Sequence, residues 1–393
     1  MAASPWLRLL SLWAAAAVLL AVVSGAASLG ATHDGLAALA LPPLAALVVA
    51  AWFRHRRLLP YALAALVLFG AAAHVTASTL HLALAAGSLA ATVVLAALVH
   101  RERWAAFGRL QDYVALTKPR IMSLLLLTGF CGLVAGAGGL PPWDVTVAAM
   151  LGLALACGGA SALNHVLDRD IDRLMGTRTR SRPVAADRLS AEHALEFGLA
   201  LSALSFTVLA GAVNLLTATL ALVGNLFYVL VYTGWLKRST PQNIVIGGAA
   251  GAVPPLVGWA AATGSLALPA LALFLIVFLW TPPHFWALAL LIKRNYAAAG
   301  IPMLPVVRGD AETARQIVLY SGALVAFTVV PFAAGWFGLV YLTTALVLGA
   351  AFVWLAVRLW RSLQPARASV LFHYSLLYLA LLFVAAALDP VVT

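Results

Sequence analysis

Residues 144–172 read DVTVAAMLGLALACGGASALNHVLDRDID, an uncharged run from Val145 to Leu167 that ends in Asp168, Asp170 and Asp172. An apolar run of about 20 residues is long enough to cross a bilayer as a helix. Similar runs fall at about 9–30, 35–53, 59–76, 80–99, 121–138, 144–163, 191–211, 216–234, 243–263, 267–291, 313–335, 338–357 and 371–388. The chain is 64% hydrophobic and 9% charged over 393 residues, against about 25% charged in soluble domains. The expected fold class is therefore an all-α polytopic membrane protein surrounded by membrane lipid, and a soluble enzyme is excluded.

The net charge of +11 could point to nucleic acid, but its placement argues otherwise. The Lys and Arg residues fall at Arg8, 54–57, 101–120, 169–188, 237–238, 293–315 and 358–367, in alternate loops, and the intervening loops carry none. Cytoplasmic loops collect Lys and Arg, which predicts the N-terminus inside and the C-terminus outside the cytoplasmic (inner) membrane. No nucleic-acid partner is expected. The two cysteines, Cys131 and Cys157, lie in apolar runs and support neither a disulfide framework nor a zinc site. Ser24-Gly25-Ala26-Ala27 would suit a signal cleavage, but the preceding apolar run is long for one.

The polar interruption at 101–120 divides the chain into residues 1–110, with four spans, and 111–393, with nine. A helix lying in the interface suits that boundary. In the second part the long basic loops 164–190 and 292–312 are also acidic, so function should concentrate there.

Asn164, Asp168 and Asp172 are spaced i, i+4, i+8, which places them on one helix face, with Asp170 roughly opposite. Stacked acids repel each other unless a cation sits among them, and hard oxygen donors suit Mg²⁺. The competing reading is a solvated helix end whose acids pair with Arg169 and Arg173. Arg178, Arg180 and Arg182 follow before Pro183 as an anion clamp, or as membrane anchors alone. Together these parts describe a site that takes a diphosphate ester at the membrane surface and ionises its C–O bond.

The pattern Asn-x-x-x-Asp-x-x-x-Asp at 164–172 resembles the UbiA-type intramembrane prenyltransferase superfamily. Further runs are similar to its protoheme IX farnesyltransferase (heme O synthase) branch: Asp112–Arg120 (DYVALTKPR), Tyr232–Arg238 (YTGWLKR), Asn243–Gly248 (NIVIGG), Trp280–Trp286 (WTPPHFW) and Gly300–Val307 (GIPMLPVV). The resemblance covers about residues 111–393. It implies nine helices round a central cavity, farnesyl diphosphate and heme b as substrates, heme O and diphosphate as products, and Mg²⁺ held by Asn164, Asp168 and Asp172. Lys118, Arg120, Arg178, Arg182, Lys237, Arg238, Lys293 and Arg294 are its candidates for diphosphate or heme propionate. A second acidic motif is expected after the sixth of these helices, where this branch has Asp before the tyrosine. Here Lys293-Arg294-Asn295-Tyr296 puts an uncharged Asn295 there, beside Tyr296, and leaves Asp310 or Glu312 to compensate.

His284, inside an apolar run, is a candidate heme ligand or proton acceptor, or a histidine bonded to a neighbouring helix. His165 reads as structural. In residues 1–110, His33 and His81 open alternate spans and could bind a second heme, with His74 a rival. That four-helix bundle weakly resembles half of heme A synthase, which makes heme A synthase an expected partner. The rival functions are prenylation of a quinone precursor, a non-catalytic heme carrier, and a transporter with helices broken at Pro254-Pro255 and Pro282-Pro283.

Overall fold

The computed structural model describes residues 110–392 and, ahead of them, residues 11, 14–15, 17–18, 40, 43–48, 59–74, 88 and 92. His33 and His81 lie outside the described residues. A helix at Leu59–His74 precedes the main body, and Ser88 Oγ donates to Ala65 O across to it at 2.9 Å.

Nine helices among the described residues are long and apolar enough to span a membrane: α1 (Pro119–Ala137), α2 (Trp143–Leu167), α3 (Ala191–Ala212), α4 (Leu215–Ser239), α5 (Asn243–Thr263), α6 (Leu268–Leu291), α7 (Gly309–Ala333), α8 (Leu339–Ser362) and α9 (Pro365–Val392). No strand occurs among the described residues. Each helix matches an expected apolar run, and the differences are at the ends. α2 continues to Leu167, because Asn164 and His165 are buried by neighbouring helices and do not end it. α9 begins at Pro365, whose fixed φ suits a first helical turn.

Up-and-down connection puts every Lys and Arg of this bundle at or beside one end. The turns at the other end, 138–142, 213–214, 264–267 and 334–338, contain neither. In lipid the hydrophobic effect gives helices little reason to associate, so close backbone packing and interhelical hydrogen bonds do that work. α1 and α5 meet backbone to backbone. A methyl group at Gly258 would lie 1.8 Å from Gly129 O, and one at Gly132 would lie 2.4 Å from Pro255 O. The proline pairs are contained within continuous helices, Pro254-Pro255 in α5 and Pro282-Pro283 in α6, so the broken helices of a transporter site are not formed.

Polar threads cross the bundle. Asn214 Nδ2 donates to Ala260 O at 2.9 Å and Ser205 Oγ to Gly152 O at 2.7 Å. The α6–α9 half is more aromatic, with Trp286, Tyr341, Phe352, Tyr378 and Phe383 buried in one cluster. At its far end, Asp389 accepts hydrogen bonds from the backbone N–H of Gly338 and of Tyr341, capping α8 from α9.

Candidate active site

α2 delivers the acidic ladder to the basic end of the bundle. Its regular geometry stops at Asp168 (φ −90°, ψ 6°), and a short helix, Arg169–Leu174, follows. The expected unbroken helix is thus bent at Asp168. The turns still close, because Asp168 N donates to Asn164 O at 2.9 Å and Asp172 N to Asp168 O at 2.8 Å. The shared face survives the bend: Asn164, Asp168 and Asp172 are 3%, 0% and 1% exposed. Asp170 points out and pairs with Arg238 at 2.7 Å, which holds its carboxyl down at about 2.

α4 runs parallel to α2 and is locked to it in register. Asn225 Nδ2 donates to Ala156 O (3.0 Å), Asn164 Nδ2 to Thr233 Oγ1 (3.1 Å) and Lys237 Nζ to Asp168 Oδ2 (2.5 Å), each pair 69 positions apart. Between the first and last of these bonds α4 adopts a π-helical stretch, Phe227–Leu236, a form that occurs mostly at functional sites. The stretch also brings Tyr228 and Tyr232 together, their rings stacked with centroids 5.5 Å apart.

Three cations meet the ladder. Lys118, in the left-handed conformation (φ 50°, ψ 59°) just before α1, donates from Nζ to Asn164 Oδ1 at 2.7 Å. Arg182 Nη1 donates to Asp172 Oδ1 at 2.6 Å, and Lys237 to Asp168 as above. Lys118 pairs with a neutral amide, and burial, with Arg182 beside it, lowers its ammonium to about 7. Burial also pushes the Asp172 carboxyl up, outweighing the pull of Arg182.

One oxygen of each acid is left over. Asp168 Oδ1 and Asp172 Oδ2 are buried without a hydrogen-bond partner, and such atoms are costly unless something binds them. Two free carboxylate oxygens and the Asn164 amide oxygen are hard donors of the kind Mg²⁺ takes. Among the described residues no three His, Cys, Asp or Glu side chains are placed to hold a metal ion by themselves. The chemistry of these donors fits a magnesium ion.

The structure separates the other candidates. Arg169 and Arg173 do not neutralise the ladder: both pair with Asp187 at 2.6 Å and brace the loop. Arg188 ties that loop to Asp112 at 2.9 Å. The backbone of Arg178 lies in a single turn, Thr177–Arg180. Arg120 and Arg294 are exposed, and Lys293 pairs with Asp310 at 2.7 Å on the surface. Tyr296 is buried against Ile171 and Met175, with burial pushing its hydroxyl up to about 12. Asn295 reaches the base of the ladder loop, where a methyl group at Gly176 would lie 2.9 Å from its Nδ2. His284 sits elsewhere, its Nδ1 2.7 Å from Ser375 Oγ and its ring stacked on Trp280 and Phe372. His165 Nδ1 lies 3.1 Å from Ser161 O.

Reading the residues alone missed Thr233, Tyr228 and Tyr232. The only signal for two of them was their place in the run 232–238.

The sequence pattern of the UbiA prenyltransferase family matches residues 125–383. A protoheme IX farnesyltransferase of Symbiobacterium thermophilum is 56% identical over 291 residues, 74% of this chain and 97% of that protein. One from a Roseiflexus species is 44% identical over an alignment that takes in 95% of this chain and 77% of the relative. One from Thermus thermophilus is 51% identical, and there the match spans about half of the relative's length, 48%. Among solved structures, a digeranylgeranylglyceryl phosphate synthase superposes with a TM-score of 0.61 at 18% identity, over 72% of this chain and 99% of that one. A UbiA homolog from Archaeoglobus fulgidus bound to GPP and Mg²⁺ superposes with 0.53 at 17%, over 70% and 99%. These likenesses carry the fold.

Proposed function

This chain belongs to the UbiA prenyltransferase family, and from that premise we propose how its buried ladder transfers a farnesyl group from farnesyl diphosphate to a vinyl group of heme b. The enzyme is a prenyltransferase of the protoheme IX farnesyltransferase kind, and its product is heme O. The observation that carries the reading is the pair of partnerless buried oxygens, Asp168 Oδ1 and Asp172 Oδ2, set among Lys118, Arg182 and Lys237.

Asn164, Asp168 and Asp172 would hold Mg²⁺, which supplies charge neutralisation of the diphosphate. The cations divide by partner. Arg182 and Lys237 each have a carboxylate to return to, whereas Lys118 faces only the Asn164 amide. Lys118 is therefore the pocket's standing anion site, and its place near Arg182 suits the diphosphate oxygens that gain charge as the C–O bond breaks. The bonding pair leaves with diphosphate. The allylic cation takes electrons from the vinyl group, and water adds to the new cation and releases a proton. Tyr228 and Tyr232 offer their rings to the prenyl cation, an attraction between cation and ring face. Asn295, against Gly176, and Tyr296, packed with Ile171 and Met175, would flank the ladder loop, and the remaining basic candidates, Arg120, Arg178, Arg238, Lys293 and Arg294, would be left for heme propionates.

The basic end of the bundle is its cytoplasmic face by the placement of Lys and Arg. Residues 1–110 form a separate four-helix unit in this reading, in which His33 and His81 hold a second heme and heme O passes to heme A synthase. A Soret band from the full-length chain that diminishes in His33→Ala and His81→Ala would support that part.

The decisive test supplies purified protein with heme b, farnesyl diphosphate and Mg²⁺ and follows the porphyrin by mass spectrometry. Gain of a hydroxyethylfarnesyl group, lost on chelation and in Asp168→Ala, is expected. Diphosphate release with heme b unmodified would redirect the reading to another acceptor, such as a quinone precursor.

A further inference from the structure

A buried threonine in a membrane helix ordinarily returns its hydroxyl to the carbonyl one turn back. Thr207, Thr281 and Thr313 do so here, each donating to the residue four earlier at 2.7–3.0 Å. Thr233 behaves differently. It is 0% exposed, and its Oγ1 accepts a hydrogen bond at 3.1 Å from Asn164 Nδ2 on the neighbouring helix.

That bond completes a sorting of the Asn164 amide. A carboxamide has two N–H donors at one end and a two-lone-pair acceptor at the other, and rotation by half a turn exchanges them. Both donors are spoken for: one goes to Asp168 Oδ2 at 2.8 Å and the other to Thr233 Oγ1. The carbonyl end therefore faces Lys118, whose Nζ uses one lone pair at 2.7 Å, and a second lone pair remains. The same arrangement gives Asp168 Oδ2 two donors, Asn164 and Lys237, and leaves Oδ1 free.

We propose that Thr233 is a positioning residue for the metal site: by accepting from Asn164 it helps hold the NH₂ end of the amide on Asp168 Oδ2 and Thr233 Oγ1, so that the oxygen, turned toward Lys118, is the end left to a cation. Removing the acceptor leaves a buried N–H unpaired and frees the amide to turn. Turned, it would set NH₂ against the Lys118 ammonium and withdraw one donor oxygen from the cation. The proposal rests on the reading of the ladder as a divalent-cation site.

The test is a titration of the full-length protein in detergent micelles with Mn²⁺ alone, without either substrate, with free Mn²⁺ read by electron paramagnetic resonance. Thr233→Val keeps the shape and removes the acceptor, and should bind Mn²⁺ about tenfold more weakly, the lower range for losing a partner that orients a ligand. Thr233→Ser keeps the acceptor and should bind like the parent. Asn164→Asp supplies a second test, since a carboxylate has two equivalent oxygens and needs no sorting. In the Asn164→Asp background, Thr233→Val should cost almost nothing, and the missing cost is the coupling between the two sites.

Equal affinity in the parent and Thr233→Val, with binding abolished in Asp168→Asn, would overturn the role of Thr233 while leaving the metal site standing. So would an equal loss from Thr233→Val in both backgrounds, or a Thr233→Ser variant as weak as Thr233→Val, because either would make the residue a packing element only. A parent protein that takes up no Mn²⁺ would overturn the metal reading and this inference together.

Discussion

Two polar segments reach the same end of the bundle with similar residue types, and the structure treats them differently. The ladder of Asn164, Asp168 and Asp172 is buried, meets three cations, and still has one oxygen on each of Asp168 and Asp172 without a partner. The segment 293–312 keeps its acids at the surface, where Asp310 pairs with Lys293 at 2.7 Å and Glu312 accepts from Gln316 at 2.7 Å. Its contribution toward the ladder is uncharged: Asn295 against Gly176, and the buried ring of Tyr296. A carboxylate becomes a candidate ligand when burial removes its water and the protein declines to satisfy it. A carboxylate with a surface lysine is already served.

The largest effect should come from the ladder. Asp168→Asn and Asp172→Asn each remove a charge that the paired cation uses and that the proposed metal would need, and each should lower turnover by about a thousandfold. Steady-state formation of the prenylated porphyrin at saturating Mg²⁺ measures it. A loss of tenfold or less would erase the distinction between the two segments. Next comes Lys118→Gln, which keeps a hydrogen bond to Asn164 and removes the anion-facing charge. It should lower kcat/KM for farnesyl diphosphate by about a hundredfold, with Mn²⁺ affinity unchanged or improved, since a repelling charge has gone.

Asn295→Asp sharpens the comparison from the other side. It installs a carboxylate where the segment 293–312 meets the ladder loop at Gly176, and ligand charge is what tunes divalent-cation affinity. An Mn²⁺ titration should show binding about fivefold tighter. Unchanged affinity would mean that position 295 faces the loop alone.

How far these differences could be read beforehand depends on the kind of information each needs. The spans were legible, because a bilayer demands runs of about 20 apolar residues whatever the fold. The ladder was legible from its i, i+4, i+8 spacing, and so was the outward turn of Asp170. The partners were not. The competing reading pairs the acids with Arg169 and Arg173, yet these go to Asp187, 18 and 14 positions away. Nothing local predicts that Thr233 and Lys237 stand 69 positions beyond their partners on α2, since that register belongs to the packing of α2 on α4. Lys118 precedes Pro119, which favours an extended conformation, and its left-handed backbone shows only in three dimensions. The family resemblance had flagged 232–238 as a block. It took the structure to show which of its side chains face the ladder.

The smallest effect should come from Asp310→Asn. Asp310 and its partner Lys293 keep 47% and 37% of their side-chain surface exposed, so water screens the pair and competes for both ends. Exposed pairs of this kind contribute about 0–1 kcal/mol, and this one touches neither the ladder nor its three cations. Turnover and Mn²⁺ affinity should stay within about twofold of the parent, and the thermal unfolding midpoint should move by a few degrees at most. This variant is the counterpart of Asp168→Asn, since both trade one carboxylate for an amide at the same end of the molecule. If Asp310→Asn also cost a hundredfold or more in turnover, then α7 must swing its first turn toward the pocket during the reaction and Lys293 must release Asp310 to do so. That result would make the surface pair a latch and would remove burial as the criterion separating the two segments.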